Sequence, residues 1–183
     1  MLVLASKSPR RQQILRDAGI PFVIRAADIK EEPNPGESAE DYVRRLAEEK
    51  AFAVAIAPGE VVLGADTTVV VDGHVLEKPR DSADARRMLE MLSGREHAVI
   101  TGICLRTASR KIVDQAITRV RFVPLTPQEL DAYVASGEPM DKAGAYAIQG
   151  LAAKFIDRIE GDYFNVVGLP VALVYRRWQE LRV

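Results

Sequence analysis

The chain has 183 residues, enough for one medium domain or two small lobes, and its 48% apolar content can build a core. With 25 Lys+Arg against 26 Asp+Glu the net charge is -1, which argues against bulk nucleic-acid binding, and a single cysteine, Cys104, excludes an internal disulfide framework and a cysteine-rich zinc site. No apolar run reaches the roughly 18 residues that a membrane span needs.

Residues 2–5 read as a buried strand and 9–18 as a helix, with Ser8 as N-cap, Pro9 at the first helical position and Gly19 as the stop. Arg10 and Arg11 then fall at a helix N-terminus, where an exposed cation costs roughly 0.3–1 kcal/mol, so the pair calls for an anionic partner. The opening MLVLASKSPRR lacks the basic region, long apolar run and small-residue cleavage site of a secretion signal, and a cytoplasmic protein is expected.

Residues 22–25 form a second expected strand, followed by a surface loop, KEEPNPGES, at 30–38. A long helix is expected over 39–57, capped by Ser38 with Asp41 three residues on. Its apolar stripe, Val43, Leu46, Ala47, Val54 and Ala57, also carries Lys50. That lysine reads either as a snorkelling side chain at the edge of the core or as a cation aimed into a cleft.

VVLGADTTVVVDGHVLEKP, residues 61–79, reads as two strands joined at the hairpin signal Asp72-Gly73. A helix over 82–93 ends at Gly94, and two long strands over 97–123 meet near 108–110. The capping box Thr126-Pro127-Gln128-Glu129 opens a helix to about Ser136. AYAIQG (145–150) and AKFIDRIEGD (153–162) read as a further strand pair, and Pro170 opens a C-terminal helix. Crossovers mixed with antiparallel strands place the chain in the α/β class, with α+β features around a substantial mixed sheet.

Asp66 follows the buried-looking run VVLGA, and carboxylates at strand ends often face the ligand crevice of an α/β sheet. It reads as an Asx-turn residue, a metal ligand or a general base. Lys78 stands before a proline in the loop EKPRD, and EPMDKAGAYAIQG (138–150) gathers Glu138, Asp141, Lys142 and Gln149 around two glycines that permit close approach. No phosphate loop, dinucleotide fingerprint, HExxH or GxSxG motif occurs. His74 and His97 read as strand or loop residues, and Cys104 as a buried structural thiol. Four cations with weak local reasons, Arg10, Arg11, Lys50 and Lys78, together with the carboxylate Asp66, suggest a site for a phosphorylated ligand, with a metal held partly by phosphate oxygens.

ASKSPRR, GADTTVV, EKP, HAVITG, EPMDKAGAYAIQG and GDYFNVVGLP, in this order, resemble the Maf family of nucleoside triphosphate pyrophosphatases from residue 3 to about 170. The resemblance implies a single domain over 1–183, an elongated α/β fold related to the inosine triphosphatases, with two lobes around a deep cleft. It also implies cleavage between the α and β phosphates to a nucleoside monophosphate and pyrophosphate. Matched residue by residue, Ser6, Arg10 and Arg11 fall on the phosphate signature and Lys50 and Lys78 on the cleft lysines. Asp66 falls on the proton acceptor, and Thr67 and Gln149, with Arg10, on positions tied to substrate choice. AYAIQG looks like the subgroup acting on dTTP and UTP. Mg²⁺ or Mn²⁺, held by Asp66 and Glu31, is the implied cofactor, and a homodimer the implied assembly, without nucleic acid or membrane as partner. Where the family often reads D-I-D-E, this chain has Asp28-Ile29-Lys30-Glu31, so Lys30 removes one acidic residue from that loop. The competing reading is a nucleotide-binding regulator of cell division with little turnover.

Overall fold

The computed structural model describes residues 1–26 and 28–182. Seven strands, β1 Leu2–Leu4, β2 Phe22–Ile24, β3 Val61–Val71, β4 His74–Leu76, β5 Glu96–Arg106, β6 Lys111–Phe122 and β7 Ile156–Glu160, form one sheet of order β2-β1-β3-β5-β6-β7, with β4 paired to β3. The sheet is mixed: β1 runs parallel to β2 and β3, whereas β3–β4 and β6–β7 are antiparallel. Among the described residues six α-helices accompany it, α1 Pro9–Asp17, α2 Ala39–Phe52, α3 Ser82–Leu92, α4 Pro127–Ala135, α5 Tyr163–Val167 and α6 Val171–Arg182. The chain divides into two compact units whose boundaries fall inside β3, β5 and β6 and at the end of α5. Among the described residues no helix is long and apolar enough to cross a membrane.

The first unit comprises 1–67, 101–116 and 168–183. Its parallel strands β1 and the start of β3 are buried, as their unbroken apolar runs require. Helix α2 packs here through small residues, Ala47 and Ala51, in a core with Val3, Val62 and Cys104. Two strand glycines explain how close that packing is. A Cβ on Gly64 would lie 2.1 Å from the Ala47 carbonyl oxygen, and one on Gly102 would lie 2.3 Å from that of Val43. Backbone therefore lies directly on backbone, which no other residue type would permit. A C-terminal carbonyl of α2 is satisfied from β5: the buried Arg106 donates to Ala51 O (2.9 Å) and, just past the helix, to Val54 O (2.6 Å), and lies 4.6 Å from the Phe52 ring centre.

Helix α2 ends at Phe52, five residues before the expected stop at 57; Val54 is buried beyond the helix, and Ala57 is exposed. Cys104 is the expected buried thiol, pushed up to about 12 by burial.

The second unit comprises 68–100 and 117–167. The β3–β4 hairpin turns at Asp72-Gly73, with φ of 49° and 77°, as the Asp-Gly signal predicts. Thr126 and Glu129 form the expected capping box of α4. AYAIQG, however, is no strand. Gly144 and Ala145 take φ of 68° and 58°, which breaks an extended run, and Gly150 N closes a turn on Ala147 O at 3.1 Å. The alternation in that segment reflects burial of Tyr146 and Ile148; the partner of β7 is β6. Three short 3₁₀ turns, Glu138–Asp141, Ala143–Ala145 and Leu151–Phe155, and helix α5 have no counterpart in the periodicity, being too short to show one.

Candidate active site

In the first unit β3 delivers Asp66 and α2 delivers Lys50. Asp66 is 6% exposed, and its Oδ1 accepts from Lys50 Nζ at 2.6 Å. The same ammonium lies 2.7 Å from Glu31 Oε1, near the start of the 30–38 loop, so one nitrogen bridges two carboxylates. The Gly64–Ala47 contact makes this reach feasible: Gly64 precedes Asp66 by two residues and Ala47 precedes Lys50 by three. Lys50 is thus paired with two carboxylates rather than extended to solvent as a snorkelling side chain would be. Lys30 pairs with Glu32 at 2.8 Å, both exposed, a pair worth little.

Helix α1 supplies a second cluster beside the first. Its cap is as expected: Ser8 Oγ accepts from Arg11 N, and Pro9 opens the helix. The Arg11 guanidinium is buried, and it donates to Gly168 O (2.8 Å), Ala65 O (2.9 Å), Ser6 Oγ (3.2 Å) and Thr67 Oγ1 (3.1 Å). Four of its roughly five N–H donors are thus committed to neutral oxygens of the fold. Burial pushes its pKa down from the ordinary value, with the Asp66 carboxylate opposing the shift. Arg11 grips the residues on either side of Asp66, fixing that carboxylate's backbone. Thr67 Oγ1 is engaged as well, lying 2.9 Å from Thr101 Oγ1 and 3.4 Å from Gly168 O. Arg10, next on the helix, is half-buried.

The expected site residues Ser6, Arg10, Arg11, Glu31, Lys50, Asp66 and Thr67 therefore all belong to this unit, and two clusters, Asp66–Lys50–Glu31 and Arg11–Ser6–Thr67, are formed by direct contact. Lys78 and Gln149 lie in the second unit, where both are exposed. Reading the sequence missed Gly64, Gly102, Thr101 and Gly168. The glycines inside strand patterns were the available signal, since such glycines often mark close backbone approach; the carbonyl of Gly168 carries no signal at all.

Two carboxylate oxygens around one cationic nitrogen are a hard-oxygen pair of the kind Mg²⁺ and Mn²⁺ accept when phosphate oxygens complete the shell. Among the described residues no group of three or more His, Cys, Asp and Glu side chains gathers into a metal cluster. The donor set fits a metal that arrives with phosphate.

The arrangement is a buried carboxylate held against a lysine, with Arg11 of the first turn of α1 bonded to the residues on either side of it. The family model described as Maf-like protein matches residues 1–181, and the chain belongs to that family. A protein of Koribacter versatilis named dTTP/UTP pyrophosphatase is 52% identical over 176 residues, covering 96% of this chain and 91% of that one. One of the same name from Symbiobacterium thermophilum is 54% identical over 171 residues, covering 93% and 88%. Among solved structures, a nucleoside-triphosphatase (dITP/XTP pyrophosphatase) from Mycobacterium abscessus aligns with a TM-score of 0.43 at 19% identity, covering 74% of this chain and 94% of that one.

Proposed function

We propose that this chain is a nucleoside triphosphate pyrophosphatase that hydrolyses dTTP and UTP between the α and β phosphates. The observation that carries the mechanism is the anchored carboxylate of Asp66. Its Oδ1 is held by Lys50. One oxygen is fixed and the other can accept a proton from water. The water oxygen bonds to the α phosphorus, its proton passes to Asp66, and the bond from that phosphorus to the bridging oxygen breaks with the electron pair leaving on pyrophosphate. Arg11 holds Asp66 in place through Ala65 O and Thr67 Oγ1 and contributes positive potential to the developing charge. A divalent cation held by Asp66 and Glu31 together with the nucleotide would supply Lewis-acid stabilisation of the phosphate oxygens.

The remaining roles rest on the resemblance and on the relatives' names. Arg10 and Ser6 bind phosphate, Lys78 neutralises the leaving group, and Gln149 reads the imide edge of thymine or uracil, for which an amide offers both a donor and an acceptor. Both units carry matched residues, so we read the chain as one catalytic domain. We expect it to act in the cytoplasm as a homodimer.

The test is product identity. Pure protein with Mg²⁺ or Mn²⁺ and a panel of nucleotides should release monophosphate and pyrophosphate from dTTP and UTP. Orthophosphate and diphosphate as products would place cleavage elsewhere and refute the mechanism.

A further inference from the structure

The turn that carries Gln149 is held from both sides by one pair of side chains. Tyr133, 3% exposed on α4, donates its hydroxyl hydrogen to Glu138 Oε1 at 2.8 Å and accepts from Ala147 N at 3.2 Å. The other carboxylate oxygen of Glu138 accepts from Leu151 N at 3.1 Å. The two braced amides therefore flank Gln149 two residues before and two residues after it, and the turn between them is closed by Gly150 N on Ala147 O. Gly150 leaves room for the carboxylate: a Cβ there would lie 2.2 Å from Glu138 Oε2 and displace it.

We propose that Glu138, acting with Tyr133, is a positioning residue for base selection, bracing the Gln149 turn so that the exposed amide is presented in one orientation. The chemistry supports a brace rather than a ligand. Each oxygen of this half-buried carboxylate is already engaged within the protein, one by a phenol and the other by a backbone amide. The phenol's one hydrogen is committed to Glu138, which leaves its lone pairs for Ala147 N. Lys142 Nζ donates to Glu138 O at 2.6 Å, a bond within the EPMDK half of the motif that fixes the backbone carrying the Glu138 side chain. A hydrogen-bonding side chain discriminates between bases only if it does not reorient to suit each of them, because the penalty against a wrong base is an unpaired polar group.

The inference rests on the reading of Gln149 as the base-reading residue, and the experiment separates the two. kcat/KM for dTTP and for dATP is measured in the wild type, Glu138→Ala, Tyr133→Phe, Glu138→Gln and Gln149→Ala, with amide hydrogen exchange over 145–152. Glu138→Ala and Tyr133→Phe should lower the dTTP-over-dATP ratio about tenfold, the order lost when a recognition hydrogen bond is loosened, and should speed exchange at Leu151 and Ala147 respectively. Glu138→Gln, which keeps an acceptor for Leu151 N, should recover much of the ratio. A purely structural role would lower both substrates alike. If Gln149→Ala lowers the ratio while Glu138→Ala and Tyr133→Phe leave it unchanged, the brace is refuted. If Gln149→Ala itself leaves the ratio unchanged, the assignment of Gln149 fails and the brace with it.

Discussion

Replacing Lys50 with Met tests whether the ammonium bridge organises the site. The side chains of Lys50 and Asp66 are 12% and 9% exposed, and their charges lie 2.6 Å apart. At an effective dielectric constant of about 20, that separation is worth about 6 kcal/mol of attraction. Relief from burying the ammonium offsets part of this, so the net loss should fall near the roughly 3–5 kcal/mol typical of orphaning one partner of a buried pair. For a chain of 183 residues this lowers Tm by about 6–20 °C. The assay is thermal and urea denaturation of Lys50→Met, Asp66→Asn and the double variant, since the cycle isolates the pairwise interaction. The double variant should be more stable than the two single losses added together. Strict additivity would refute the claim that the pair is coupled.

Asp66→Asn keeps the shape and removes the proton acceptor. Turnover of dTTP should fall about 10²–10⁴-fold while binding of a non-hydrolysable dTTP analogue is largely retained, and wild-type turnover would exclude the assigned role. Gly64→Ala should cost about 3 kcal/mol, the upper end of overpacking, because the atoms met are backbone and cannot rotate away. By pushing α2 from β3 it should also reduce kcat, whereas an unchanged Tm would contradict the backbone-on-backbone packing. His97, buried against Tyr146 and Phe122, is held down to about 4 by burial, against an ordinary value of 6.5. Between those values the unfolded chain takes up a proton that the folded one does not, so stability falls as pH drops from 6.5 towards 4, by roughly 3 kcal/mol in all. Denaturation of His97→Gln across that range should show a shallower acid slope; an identical slope would assign the acid loss to other groups.

Much of this protein is written in short-range chemistry. Ser8-Pro9, Ser38 and the Thr126–Glu129 box announce helix starts because a side-chain oxygen reaches a backbone amide only three residues on. Asp72-Gly73 announces a hairpin because few residues accept two consecutive positive φ angles. The candidate residues were legible for a different reason, as cations and a carboxylate in places where local structure did not call for them, and the ordered motifs turned that into a family.

The tertiary structure alone decided what those residues do with one another. Arg11 looked like a ligand for phosphate, yet its guanidinium is largely committed to oxygens that include a carbonyl 157 residues away, a partner no periodicity encodes. Helix α2 ends at Phe52 rather than near 57, where Arg106, from a distant strand, takes the carbonyl of Ala51 in its last turn and that of Val54 just past it. Lys50 meets Asp66 because Gly64 and Gly102 let a helix backbone rest on two strands. AYAIQG carries a strand-like alternation, but Gly144, Ala145 and the Glu138 brace fold it into a turn. Local sequence specifies where elements begin, because caps and turns act over three or four residues. Which elements touch depends on the fit of backbones and the satisfaction of buried donors across the whole chain, and that is settled only when the chain folds.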